Sequence, residues 1–229
     1  MRISTSSFFF GVISAAILAF VLIGCSGCSK KQPSSSVAPY TSYKANGSFE
    51  ELSVSSDSMP AVYTPISMSQ SCSSTDSAQV VYGCGYDQHD SGGRIIKSVS
   101  LYFYFSDLKS RLAEHNGLFY YSDLGEVVDK LGAGQLNYLA KMICLPVEEV
   151  GLVYFDQSGF YRTWASLPLV NPRQDSSLFQ INSLEMVDHT VYGHCIKIEG
   201  GYSCKVYSAS GDSLFISEGK FTGIINNPL

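Results

Sequence analysis

The chain has 229 residues, of which 45% are hydrophobic and 15% charged, with a net charge of −5. That length supports one domain with its own core, and the acidic balance disfavours nucleic acid or anionic headgroups as direct partners. Beyond the N-terminal segment, no stretch approaches the roughly 20 consecutive apolar residues that a spanning helix needs.

Met1-Arg2 precedes an apolar run from Phe8 to Gly24, which closes on Leu22-Ile23-Gly24-Cys25. A short basic start, an apolar middle and a small residue before a cut are the marks of a secretory signal peptide, removed before the mature chain folds. As a helix the run spans only about 25 Å, short of the roughly 30 Å hydrocarbon core, so an uncleaved membrane span is a tight fit. Leu22-Ile23-Gly24-Cys25 also resembles the bacterial lipobox, where a lipoprotein signal peptidase cuts before a cysteine whose sulfur carries diacylglycerol and whose freed amine is acylated. The resemblance covers about a tenth of the chain. It implies a signal peptide over 1–24, a lipidated Cys25 and a bacterial cell-envelope location, with the membrane as a partner through covalent lipid. Cys28 is a weaker lipid site, because Cys25 stands where an aliphatic residue is expected three positions before it. Ser26 follows Cys25 where Asp tends to hold lipoproteins at the inner membrane, so the resemblance favours the outer membrane. Loss of Arg2 with the signal leaves 14 basic against 20 acidic residues, a net charge near −6.

Residues 25–48 read as the lipidated cysteine followed by a polar tether, rich in Ser and carrying Lys30-Lys31 and Pro33, with Asn46-Gly47-Ser48 as a turn. Such a segment has too few apolar residues to offset the entropy of ordering, and some twenty residues of flexible coil span on the order of 25 Å. A single α+β domain is expected over 49–229. Its first part, 49–77, is expected to be loosely ordered, because Pro60 and Pro65 interrupt the strand-like spacing of Leu52, Val54, Val62, Tyr63 and Ile66.

The clearest strand is Arg94 to Phe105, where Ile95, Val99, Leu101, Phe103 and Phe105 alternate with Ser98, Ser100, Tyr102 and Tyr104. Two or three short helices are predicted next. Ser106 can cap one through His115, Ser122 can cap a second carrying Val127, Val128 and Leu131 and ending at Gly132, and Gln135 to Ile143 has helical apolar spacing before Pro146. Strands then return. Val150–Phe155 and Phe160–Trp164 read as a hairpin about Asp156-Gln157-Ser158-Gly159. A meander is expected through Leu178–Ile181, Thr190–Ile198, Tyr202–Ser208, Ser213–Ser217 and Lys220–Ile225, with turns at Gly200-Gly201, Ser210-Gly211-Asp212 and Gly219. Mainly antiparallel sheet with helices gathered in the middle makes the expected class α+β.

Once Cys25 is lipidated, six cysteines remain, and they allow 15 pairings in an oxidising envelope. A turn at Glu199-Gly200 would place Cys195 directly opposite Cys204, whereas a turn at Gly200-Gly201 would make the pair diagonal. Cys72 and Cys84 form a second candidate disulfide closing a small loop, and Cys144 reads as a buried small hydrophobe. His89, His115, His189 and His194 show no metal-ligand spacing, and no motif for a nucleophile, phosphate or cofactor is present in the sequence, so catalytic, metal and cofactor residues are all assigned as none. Tyr102 and Tyr104, within a wider excess of aromatics, are candidates either for an exposed face that binds a protein or small molecule, or for the β core. The expected function is a lipid-anchored envelope protein with a binding or scaffolding role. The alternative is a lipid-anchored hydrolase whose active-site residues are scattered along the sequence.

Overall fold

The computed structural model describes residues 39–53, 76–115, 118–139, 149–164, 174–189 and 193–227, all within the unit Val37–Leu229. Of these residues 70% are strand and 8% helical. The strands are β1 (Tyr40–Ala45), β2 (Ser48–Ser53), β3 (Ser77–His89), β4 (Ile95–Leu108), β5 (Ala113–His115), β6 (Leu118–Tyr120), β7 (Gly134–Tyr138), β8 (Glu149–Asp156), β9 (Gly159–Arg162), β10 (Leu178–His189), β11 (Gly193–Tyr207) and β12 (Ser213–Ile225). One α-helix, α1 (Leu124–Leu131), and a 3-10 turn at Lys109–Arg111 complete the described elements.

Ten strands form one sheet in the order β2-β1-β12-β11-β10-β7-β8-β4-β3, with β9 set between β8 and the end of β11. All pairs are antiparallel except β7 with β8, so the sheet is mixed. The sheet curls until β3 lies across β12. Tyr86 Oη donates to the Thr222 carbonyl at 3.1 Å, and the Cys84 thiol lies 3.8 Å from the Ile224 carbonyl. Lys97 of β4 and Glu50 of β2 are joined at 2.9 Å. The concave face holds one core in which Phe179 meets Phe103, Tyr138 and Phe221 at centroid separations of 5.8, 6.0 and 5.4 Å, the range of edge and tilted aromatic pairs.

The α+β expectation is therefore corrected to a mostly β domain with one helix. The Ser106–His115 helix does not form, because β4 runs on to Leu108 and ladders Ser106, Asp107 and Leu108 against Gln79, Ala78 and Ser77. Residues 134–138 are likewise a strand: Leu136 pairs with Phe179, and Tyr138 turns inward onto the same ring, so tertiary pairing overrides helical spacing. Residues 140–143 of that predicted helix, and Cys144 just beyond it, lie outside the described residues. The middle helix does form, capped by Asp123 rather than Ser122: the Gly125 N–H donates to Asp123 Oδ1 at 2.8 Å, and Leu124, Val127 and Leu131 face the core.

Two further expectations change. Tyr40–Ala45 and Ser48 lie in the β1–β2 hairpin, so the sheet begins inside the Ser-rich segment assigned to the tether, and Asn46-Gly47 is its two-residue turn with φ of 49° and 80°. Nor do Gly200-Gly201 and Gly219 turn the chain: β11 and β12 run through them as strands of 15 and 13 residues. The predicted β8–β9 hairpin is present, turning at Gln157-Ser158.

Candidate functional site

Two irregularities break the outer face of the sheet. In β10, Ile181 pairs with Gly200 and Ser183 with Glu199, which leaves Asn182 as an extra residue. In β12 the register slips between Ser217 and Lys220 against β1 and between Ile216 and Gly219 against β11, and Glu218 takes a positive φ of 53°. These are β-bulges, which bend strands and re-aim side chains, and they recur beside sites. Between them lies Gly200-Gly201. A Cβ on Gly200 would sit 2.3 Å from the Gln180 carbonyl oxygen, so that glycine serves the inner packing; a Cβ on Gly201 would meet only the Gly219 carbonyl at 3.2 Å.

The bulges and the bare Gly201 open a cavity of about 510 Å³ on the outer face, walled by Tyr40, Asn182, Glu199, Glu218 and Lys220. Glu199 receives Lys197 Nζ at 2.6 Å and Ser183 Oγ at 3.0 Å. Lys197 chiefly, with Ser183, outweighs the opposing effect of burial and holds this carboxyl below the ordinary glutamate value. Glu218 is paired with Lys44 at 2.7 Å. Lys220 is exposed and has no acidic partner among the described residues. The groove thus offers an ammonium, two ionised acceptors, a carboxamide and a phenol around a floor of backbone, an arrangement suited to polar recognition.

The residues singled out from sequence lie elsewhere. Cys25, Cys28 and Cys72 are outside the described residues. Cys195 and Cys204 are both in β11 with no turn between them, so nine residues of strand separate them by about 30 Å, far beyond the ~7 Å reach of a disulfide. That pairing is corrected: Cys84, Cys195 and Cys204 are all buried, and Cys84 and Cys204 are free. Burial pushes the Cys84 and Cys204 thiols up to about 12, which makes them poor nucleophiles. Tyr104 is 2% exposed, and packs with Val81, Leu139, Val153 and Trp164 in a second cluster on the convex side, with Tyr102 half-buried against it. The Tyr102 and Tyr104 rings lie 6.4 and 6.3 Å from Trp164. They are packing residues and do not form an open aromatic face.

The histidines are dispersed. His89 Nδ1 lies 3.1 Å from the Gly93 carbonyl in the β3–β4 turn, and His194 Nδ1 lies 3.0 Å from Asp188 at an exposed edge. Among the described residues no group of three or more His, Cys, Asp or Glu side chains could hold a metal, and no helix is long and apolar enough to cross a membrane. A curled, mostly antiparallel sheet with a bulge-lined polar groove defines the domain. No family model, curated protein or solved structure gives a significant match to this chain.

Proposed function

We propose that the chain is a lipoprotein of a bacterial cell envelope, held through lipid on Cys25, at the outer rather than the inner membrane, with a β domain that binds a ligand or partner. The observation that carries the anchor is Leu22-Ile23-Gly24-Cys25 at the end of an apolar run that follows Met1-Arg2. One acyl chain binds a bilayer only marginally, whereas each added buried CH₂ contributes about 0.8 kcal/mol, so the chains of a mature lipoprotein anchor it stably. Binding as the role of the domain is supported by the groove, whose polar groups project from paired strands. The acidic composition favours neither nucleic acid nor adhesion of the domain itself to anionic lipid.

The test is metabolic labelling with a palmitate analogue, combined with intact mass of the wild type and Cys25→Ala. The expected result is a labelled wild type that begins at Cys25 and an unlabelled, uncut variant that still carries Met1–Gly24. Fractionation alone does not decide, because the uncut variant would be held by its own apolar segment. Label that persists in Cys25→Ala, or an unlipidated wild type retaining its first 24 residues, overturns the anchor.

A further inference from the structure

We infer that the groove over Gly201 takes a neutral, polyhydroxylated ligand of about disaccharide size, a deepening that rests on the ligand-binding reading of the domain. Its volume of about 510 Å³ falls within the roughly 300–1,000 Å³ typical of small-molecule sites. Charge decides the class. Glu199 and Glu218 are each neutralised within the sheet, by Lys197 at 2.6 Å and Lys44 at 2.7 Å. A cation meets carboxylates already paired with lysines, and an anion gains only the Lys220 ammonium, which is exposed and screened by solvent, so neither sign gains a strong complementary field.

What remains is fixed hydrogen-bonding geometry. Carboxylates only accept, an ammonium only donates, and the Asn182 carboxamide and Tyr40 phenol do both. Hydroxyl groups, which donate and accept at once, satisfy such a mixed wall, whereas a purely anionic or cationic ligand satisfies only part of it. Tyr40 also brings an apolar ring to the wall, suited to the C–H faces of a sugar. Gly201, with nothing but the Gly219 carbonyl near its missing side chain, lets a ligand reach the backbone itself. By residue preference this glycine reads as half of a turn. Its place in mid-strand between two bulges is what leaves the groove open.

The experiment is saturation-transfer NMR on the detergent-solubilised full chain. The probes are four neutral disaccharides (maltose, cellobiose, lactose and diacetylchitobiose) at millimolar concentration, the zwitterion dialanine as a charged control, and inorganic phosphate followed by its ³¹P linewidth. Two variants accompany the wild type: Gly201→Val, which fills the groove with a side chain that strands favour, and Lys220→Ala, which removes an exposed donor without touching the core. The expected result is transfer to at least one disaccharide, weakened about tenfold or more by Gly201→Val and measurably by Lys220→Ala, with unchanged circular dichroism. Binding of dialanine or phosphate alone, lost in Gly201→Val, overturns the sugar assignment and leaves the domain a binding module. Transfer to a disaccharide that both variants retain overturns the groove as its location. Response from none of the probes overturns the inference together with the small-molecule reading beneath it.

Discussion

Replacing Gly200 and Gly201 by alanine, one at a time, should give opposite results at adjacent positions. At Gly200 the new methyl would lie 2.3 Å from the Gln180 carbonyl oxygen and 2.6 Å from the Phe221 ring. The oxygen belongs to β10 backbone held in register with β11, and Phe221 is pressed against Phe179 at 5.4 Å, so neither neighbour can yield freely. Overpacking of this kind costs about 1–3 kcal/mol, and a contact that close to backbone belongs at the upper end. At Gly201 the methyl meets only the Gly219 carbonyl at 3.2 Å, and the smaller entropy of the unfolded chain returns roughly 0.4–1 kcal/mol. For a domain of this size each kcal/mol moves Tm by about 2–4 °C, so Gly200→Ala should lose some 6–12 °C while Gly201→Ala stays within about 3 °C of wild type. Thermal melts followed by far-ultraviolet circular dichroism read both. Had Gly200-Gly201 been a hairpin turn, both residues would need left-handed backbone and both alanines would be costly. Equal losses at the two positions would refute the continuous strand, and an innocuous Gly200→Ala would refute the close approach of β10 and Phe221.

Other consequences are open to direct measurement. Cys84 and Cys204 should resist a maleimide in the native state, label fully in denaturant, and appear unpaired in non-reduced peptide maps; a Cys195–Cys204 peptide would contradict β11. Burial works to raise the Asp107 carboxyl, but the Leu108 N–H together with Lys130 and Arg111 outweighs it and holds the group below the ordinary aspartate value. Because the native value is the lower one, the stabilisation is fully present above the unfolded pKa near ~3.9 and is lost as pH falls through the native value. Asp107→Asn should therefore cost about 1–2 kcal/mol at neutral pH and flatten the acid limb of the stability curve, and an unchanged acid limb would count against the cluster. Gly151→Ala would drive a methyl to 2.8 Å from Trp164 and 2.9 Å from Tyr104. Since Trp164 is the single tryptophan, its emission should shift to the red as the ring is displaced from its buried site.

Period-two patterning carried much of the fold, and where it failed the cause is identifiable. Val99, Leu101, Phe103 and Phe105 mark β4 because one face of that strand meets the core along that whole stretch. The Leu124–Leu131 helix was readable for the corresponding reason at helical spacing, with a capping residue before it and Gly132 after it. Gln135 to Ile143 failed because Leu136 and Leu139 fit a helical face on paper, yet in the fold they serve different clusters on opposite sides of a strand and its exit. Only long-range pairing with Phe179 selects strand here, and a local pattern does not contain that pairing.

The Gly-Gly error has a different origin, and the sequence holds a signal against it. Ile196, Ile198, Gly200, Tyr202, Cys204 and Val206 keep one parity across the glycines, and all six are buried. A two-residue hairpin turn at either 199–200 or 200–201 would pair residues whose numbers sum to an odd value, so inward positions would change parity on crossing it. Unbroken parity therefore marks one continuous strand with small residues at its centre, and it dissolves the hairpin on which the Cys195–Cys204 pairing rested. In β12 the same test gives the opposite sign: Leu214 and Ile216 face inward on even numbers, Phe221 and Ile225 on odd ones, because the bulge at Glu218 inserts one residue. A parity change without a turn is how a bulge appears in sequence, and here it coincides with a glycine, Gly219, that a turn reading absorbs without contradiction. The groove lies where the unbroken strand passes the bulged one, so neither element shows it alone; it depends on the register between β11 and β12.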